Sequence, residues 1–203
     1  MSQITLYFAR ASRSFTPRWL LEELGVPYAI QNIDLHKRAQ KSAAYLQINP
    51  MGKVPALKDG DAVVTESPAI CIYLADRYSY GELAPRIDDS TRGAYLRWMV
   101  FSTAVFEPAV YLAEPADPVA ASGRGWGDRE TVLGVLEQNL VTNSYLLGER
   151  FSAADVMLGS LLSIALFNGR IPDPSRALVE YDKRLACRPA YKRAAEATWG
   201  TGV

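Results

Sequence analysis

Hydrophobic positions alternate between two periods in the N-terminal part of the chain. Ile4-Thr5-Leu6-Tyr7-Phe8 is a short β-branched and aromatic run that closes in the polar turn Ala11-Ser12-Arg13-Ser14, the signature of a strand followed by a turn. From Pro17 to Leu24 the apolar residues recur at helical spacing, with Gly25 as the stop. Tyr28 to Leu35 predicts a second strand, and Ala43-Ala44-Tyr45-Leu46 a short helix before the turn Asn49-Pro50-Met51-Gly52. Pro55 to Lys58 and Ala62 to Thr65 flank Asp59-Gly60, a strong short-range hairpin signal. Ser67-Pro68 opens a helix through Tyr78, with the serine as N-cap and the proline at the first helical position. The predicted order is β-α-β-α-β-β-α.

Beyond a linker over residues 80–88, with Gly81 and Pro85, the pattern is entirely helical. Arg92 to Tyr111 carries Tyr95, Trp98, Met99, Phe101 and Phe106 on more than one face. A Pro/Gly-rich loop follows over 115–127, then an amphipathic helix from Glu130 to Leu147. Ser152 to Phe167 is apolar on nearly every face, the mark of a helix buried all round. Ser152 and Asp155 at its start form a capping-box pattern, so Asp155 is expected to satisfy backbone amides rather than to catalyse. Short helices over 175–197 complete an all-α region. The expected domains are 1–79 and 89–203.

Composition narrows the function classes. The 203 residues are 49% hydrophobic and 22% charged, an ordinary globular balance. A formal charge of +0 gives no electrostatic footprint for nucleic acid. No apolar run approaches the ~20 residues of a membrane helix. MSQITLYFAR lacks a basic segment followed by an apolar core, so a cytoplasmic location is expected. Cys71 and Cys187 make no CxxC pattern, and with His36 as the single histidine neither a His-based triad nor a multi-histidine metal site is expected. No metal is expected.

Three runs carry the chemistry: NPMGKVPAL (Asn49–Leu57), TESPAICIYLADRY (Thr65–Tyr78) and LLGERFSAADVMLG (Leu146–Gly159). With SRSFTPRWLLEELGVPY (Ser12–Tyr28) and RPAY (Arg188–Tyr191), they resemble the cytosolic glutathione transferase family, in its order and spacing, over essentially the whole chain. The resemblance implies a thioredoxin-like N-terminal domain that binds glutathione as co-substrate, an all-helical domain that shapes an electrophile pocket, and a homodimer.

It also implies roles. Val54-Pro55 is expected to be cis, with the Val54 amide and carbonyl pairing the cysteinyl backbone of glutathione like an added strand. At the start of the third helix, free amides and the positive dipole end attract a carboxylate. Ser67 is expected to hold the γ-glutamyl carboxylate there and Glu66 its ammonium. The thiolate is assigned to a serine in the turn after the first strand, Ser12 or Ser14, as in serine-type bacterial and fungal members. Arg13, also a candidate glutathione contact, stands where beta-type bacterial members have cysteine, so thiol–disulfide exchange is disfavoured. Lys37 or Arg38, and Lys53, are candidates for the glycyl carboxylate. Tyr95, Trp98 and Ser102, three or four residues apart, are candidates for the electrophile pocket. The expected reaction is conjugation of the glutathione thiolate with small hydrophobic electrophiles. The alternatives are a glutathione-dependent peroxidase or disulfide reductase, and a non-catalytic glutathione-binding relative.

Overall fold

The computed structural model describes residues 4–112 and 123–200. Its packing divides the chain into two units, one of residues up to Tyr80 together with those from Cys187 on, the other Gly81–Ala186. The 115–127 loop reading falls largely outside the described residues.

In the first unit, β1 (Ile4–Phe8), β2 (Tyr28–Asn32), β3 (Ala56–Asp59) and β4 (Ala62–Thr65) form one sheet in the order β2-β1-β3-β4. β1 runs parallel to β2 and antiparallel to β3, which runs antiparallel to β4. Ile4, Leu6 and Phe8 alternate into the core from β1, as the two-residue period of a strand demands. The β3–β4 hairpin places Gly60, at φ +61°, at the first of two loop positions, where a glycine is favoured. α1 (Phe15–Leu24) ends at Gly25 in the left-handed conformation, whose amide donates to Leu21. α2 (Ala43–Leu46) follows a 3₁₀ turn, and α3 (Ser67–Tyr78) completes the predicted β-α-β-α-β-β-α order, a thioredoxin-like arrangement. β2 stops at Asn32, three residues short of the expected strand, because its register with β1 ends at the Phe8–Asn32 pair.

The second unit is helical. α4 (Arg92–Phe101), a π-helical segment Ser102–Phe106 and α5 (Glu107–Tyr111) run without a break. α6 (Arg129–Thr142), α7 (Ala153–Phe167) and α8 (Arg176–Ala186) follow. α7 is buried without interruption over 153–162, as its uniform hydrophobicity requires. Its capping box forms as expected: the Ser152 hydroxyl and Asp155 carboxylate take the backbone amides, and Asp155 also accepts from the Leu146 amide and the Tyr181 phenol. Among the described residues no helix is long and apolar enough to cross a membrane.

The last helix, α9 (Pro189–Trp199), packs in the first unit, where the sequence pattern groups it with the other helices. Its aromatic rings explain the placement. Tyr191 meets Phe15 and Trp19 edge-on at 5.2 and 4.9 Å, and Trp199 lies 4.2 Å from Phe15. Arg188 grips the Glu23 carboxylate with both Nε and Nη2, at 2.6 and 2.9 Å.

Candidate active site

The strand registers bring the segments that carry the predicted glutathione-site residues to one end of the sheet. Tyr7 pairs with Ala56, and Ala56 with Thr65. The C-terminal ends of β1 and β4 therefore lie beside the N-terminal start of β3, and Phe8 lies beside the end of β2 at Asn32. The Ser12 turn leaves β1 here, Val54-Pro55 enters β3, Glu66-Ser67 leaves β4, and the segment with Lys37 and Arg38 leaves β2. Segments far apart in sequence come to one end of the sheet because β1, β2 and β4 end there and β3 begins there.

The Ser12 turn is held by a closed set of hydrogen bonds. The Ser12 hydroxyl donates to the Ala9 carbonyl at 2.7 Å and accepts from the Ser14 amide at 3.1 Å. The Ser12 and Ser14 hydroxyl oxygens are 2.9 Å apart, and the Ala9 amide donates to Ser14 Oγ at 3.3 Å. Serine carries one proton and a carbonyl only accepts, so the proton between the two hydroxyls belongs to Ser14. The chain of donors runs from the Ala9 amide through Ser14 and Ser12 to the Ala9 carbonyl. Ser14 is fully buried while Ser12 is half-buried. Only Ser12 is placed to turn its proton outward; Ser14 stands behind it. Arg13 is half-buried between them.

Val54 precedes β3 and lies outside its ladders, and the Val54–Pro55 bond is cis. Val54 takes part in no hydrogen bond among the described residues, which leaves its amide and carbonyl available for an added strand. The residue before it is pinned. The Lys53 carbonyl accepts from the Tyr45 phenol at 2.6 Å and from Asn49 Nδ2 at 2.8 Å. Burial pushes the Tyr45 phenol up to about 12, which keeps it a donor at neutral pH. Asn49 in turn accepts the Met51 amide at 3.1 Å through its side chain and the Gly52 amide at 2.8 Å through its carbonyl. Gly52, at φ +60°, has no space for a side chain: a Cβ there would lie 2.8 Å from the Gln40 carbonyl. Neither Tyr45 nor Asn49 was singled out from the sequence. The one local signal for Asn49 is its place in a turn, where asparagine bonds nearby backbone; Tyr45 carries none.

Glu66 has φ +66° and ψ 122°, a conformation in which a non-glycine residue is strained. It occupies the cap position of α3, which shifts the helix start onto Ser67, one residue before the expected boundary. Its carbonyl accepts the Ile70 amide at 2.9 Å, while its side chain caps nothing and is exposed. Ser67 is half-buried at the first helical position. The exposed acidic side chain of Glu66 thus stands at the N-terminus of a twelve-residue helix, a setting for a zwitterion with one carboxylate and one ammonium.

Arg38 and Lys53 are exposed and form no ion pair among the described residues, whereas Lys37 lies 3.9 Å from Asp34. His36 is exposed and donates its amide to Asp34. Cys71 is fully buried in α3, and desolvation pushes its thiol far up. In the second unit Tyr95, Trp98 and Ser102 are all buried, at 0%, 2% and 0% exposure, and the Ser102 hydroxyl donates to the Trp98 carbonyl at 2.7 Å. The predicted aromatic stripe is packed interior; Leu96 and Val100 are the exposed apolar residues of α4. No group of three or more His, Cys, Asp or Glu suited to a metal ion occurs among the described residues.

Comparison with known proteins follows the same geography. Residues 2–76 match the family described as Glutathione S-transferase, N-terminal domain. Glutathione S-transferase 3 of Zea mays is 32% identical over 190 residues, 86% of this chain and 84% of the relative. Glutathione S-transferase F10 of Arabidopsis thaliana is 34% identical over 75% of this chain and 76% of the relative. A theta class glutathione S-transferase from Xanthomonas axonopodis pv. citri, solved with glutathione bound, superposes with a TM-score of 0.76 at 31% identity, over 96% of this chain and 97% of that one.

Proposed function

Because the chain belongs to the glutathione S-transferase family, we propose that it binds glutathione at this end of the sheet in its first unit and conjugates the thiolate with small hydrophobic electrophiles. The observation that carries this reading is that the strand registers bring the segments of Ser12, Val54 and Glu66-Ser67 to one end of the sheet. Val54 offers an unpaired amide and carbonyl to the cysteinyl backbone. Ser67 and the α3 amides take the γ-glutamyl carboxylate, and Glu66 takes its ammonium. Arg38 and Lys53 supply exposed cations for the glycyl carboxylate.

Ser12 acts on the sulfur. A thiol of pKa ~8.5 is only about 3% thiolate at neutral pH. A hydrogen bond to a charged group contributes roughly 1.5–3 kcal/mol, enough to lower that pKa by about one to two units. The Ser12 proton must leave the Ala9 carbonyl to do so, while Ser14 continues to donate to Ser12 Oγ. The thiolate then attacks an electrophilic carbon; as the S–C bond forms, the displaced electron pair leaves with a halide or passes to the opened epoxide oxygen or the isothiocyanate nitrogen, which is then protonated. Burial of Cys71 supports conjugation over thiol–disulfide exchange at this site. The protein is assigned to the cytoplasm and to a homodimer as part of the same reading.

Incubation with glutathione and a panel of aryl chlorides, epoxides, isothiocyanates and hydroperoxides tests the reaction. Thioether formation with at least one carbon electrophile is expected. Turnover of hydroperoxides alone points to a peroxidase instead, and glutathione binding without any turnover defeats the enzyme reading.

A further inference from the structure

The residue ahead of Ser12 is tied to the far end of the chain. The Ala11 amide donates to the Thr198 carbonyl at 3.3 Å, and Ala11 holds φ +50°, the left-handed region that an alanine enters only under constraint. Thr198 is fully buried in the last turn of α9, its hydroxyl donating to the Ala194 carbonyl at 2.7 Å. Trp199 anchors that turn on Phe15, whose own amide donates to the Ser12 carbonyl at 3.2 Å. Two further ties fix the rest of α9 to α1: Arg188 on Glu23, and Arg193 on Glu22 at 2.7 Å. The turn is thus clamped on both sides of Ser12, by Thr198 before it and by the tilted Trp199–Phe15 ring contact after it.

We propose that the end of α9 is a positioning element for the candidate catalytic serine, with Thr198 and Trp199 setting the Ala11 conformation that aims the Ser12 hydroxyl. The proposal rests on the reading of Ser12 as the group that stabilises the thiolate. The binding contacts at Val54 and Glu66-Ser67 lie on other segments, so loss of the clamp separates thiolate stabilisation from glutathione affinity. A helix that merely packs would make no such separation.

The test titrates the thiol of glutathione bound to the full chain by thiolate absorbance, alongside kcat and KM. Trp199→Ala is expected to raise the titration by about one unit, a roughly ten-fold loss of thiolate below the pKa, with a similar fall in kcat near neutral pH and little change in KM for glutathione. Trp199→Phe keeps an aromatic anchor and should retain the parent titration. Adding Ala11→Gly to Trp199→Ala should recover much of the loss, because glycine enters the left-handed region without the Cβ penalty. If Trp199→Ala does not accumulate as folded protein, Trp199→Leu is read by the same criteria. A lower melting temperature with an unmoved titration and kcat overturns the proposal. Ser12→Ala in the parent chain separates the two levels. If it shifts the titration and the Trp199 variants do not, the clamp fails alone; if neither shifts it, the serine reading has failed with it.

Discussion

The phenol of Tyr45 donates to the carbonyl of Lys53 at 2.6 Å, one residue ahead of Val54. Together with the Asn49 amide on the same carbonyl, it holds the peptide that precedes the proposed strand-like glutathione contact. In the proposed binding mode, Tyr45 acts on the ligand's backbone through the Lys53 peptide rather than by contact.

Removal of these two donors should therefore weaken binding more than their distance from the ligand suggests. Tyr45→Phe and Asn49→Ala each remove one donor from the Lys53 carbonyl, about 1 kcal/mol, Asn49→Ala also losing the Met51 amide bond, and each should raise the glutathione dissociation constant at least roughly five-fold. Calorimetric titration checks this. An unchanged constant in both variants would show that Val54 is positioned without them.

The two serines should separate by role. Ser12→Ala should raise the pKa of the rate profile towards that of a free thiol and lower turnover near neutral pH by about one to two orders of magnitude, with glutathione affinity little changed. Ser14→Ala, behind it and buried, should shift the titration less and cost about 1–3 kcal/mol of stability by leaving the Ala9 amide unpaired. A titration that moves in Ser14→Ala and stays in Ser12→Ala would exchange the assignments.

Glu66 combines its proposed binding role with backbone strain at the same position. Glu66→Gly should stabilise the fold by about 1 kcal/mol, through relief of the positive φ, yet weaken glutathione. Glu66→Ala should weaken glutathione without the gain. Thermal unfolding and calorimetry read the two effects apart; an affinity equal to that of the parent in both variants removes Glu66 from the site.

Asp155 should dominate the stability of the second unit. Its buried carboxylate accepts from the Leu146 and Ser152 amides, the Ser152 hydroxyl and the Tyr181 phenol, so Asp155→Ala should cost about 3–5 kcal/mol in denaturant unfolding. Burial pushes the carboxyl up to about 6 against those four donors. The folded chain thus holds this proton more tightly than the unfolded chain, whose value is ~3.9. The resulting stabilisation is complete below that lower value and is lost as pH rises through about 6. The stability of the parent relative to Asp155→Asn should fall by about 2–3 kcal/mol from pH ~3.5 to pH ~7.5; a gap that widens over that interval would contradict the sign.

Much of this was legible in local sequence because its causes are local. The alternation of Ile4, Leu6 and Phe8, the Asp59-Gly60 hairpin and the helix through Tyr78 depend on residues a few positions apart. The Ser152–Asp155 box closes within one helical turn, and Val54-Pro55 and Glu66-Ser67 sit in contiguous runs that carry the family resemblance. Contacts between distant segments decided the rest. Burial separates Ser12 from Ser14, although the two hydroxyls are neighbours in sequence with the same chemistry. Tyr95, Trp98 and Ser102 share a helical face whose periodicity reads equally well as core or pocket, and packing placed them inside. The Arg188 and Trp199 anchors seat α9 in the first unit, and Thr198 reaches Ala11 only because they do. Which backbone amide meets which carbonyl across such separations is set by how whole helices pack on a sheet, a property that no local pattern encodes.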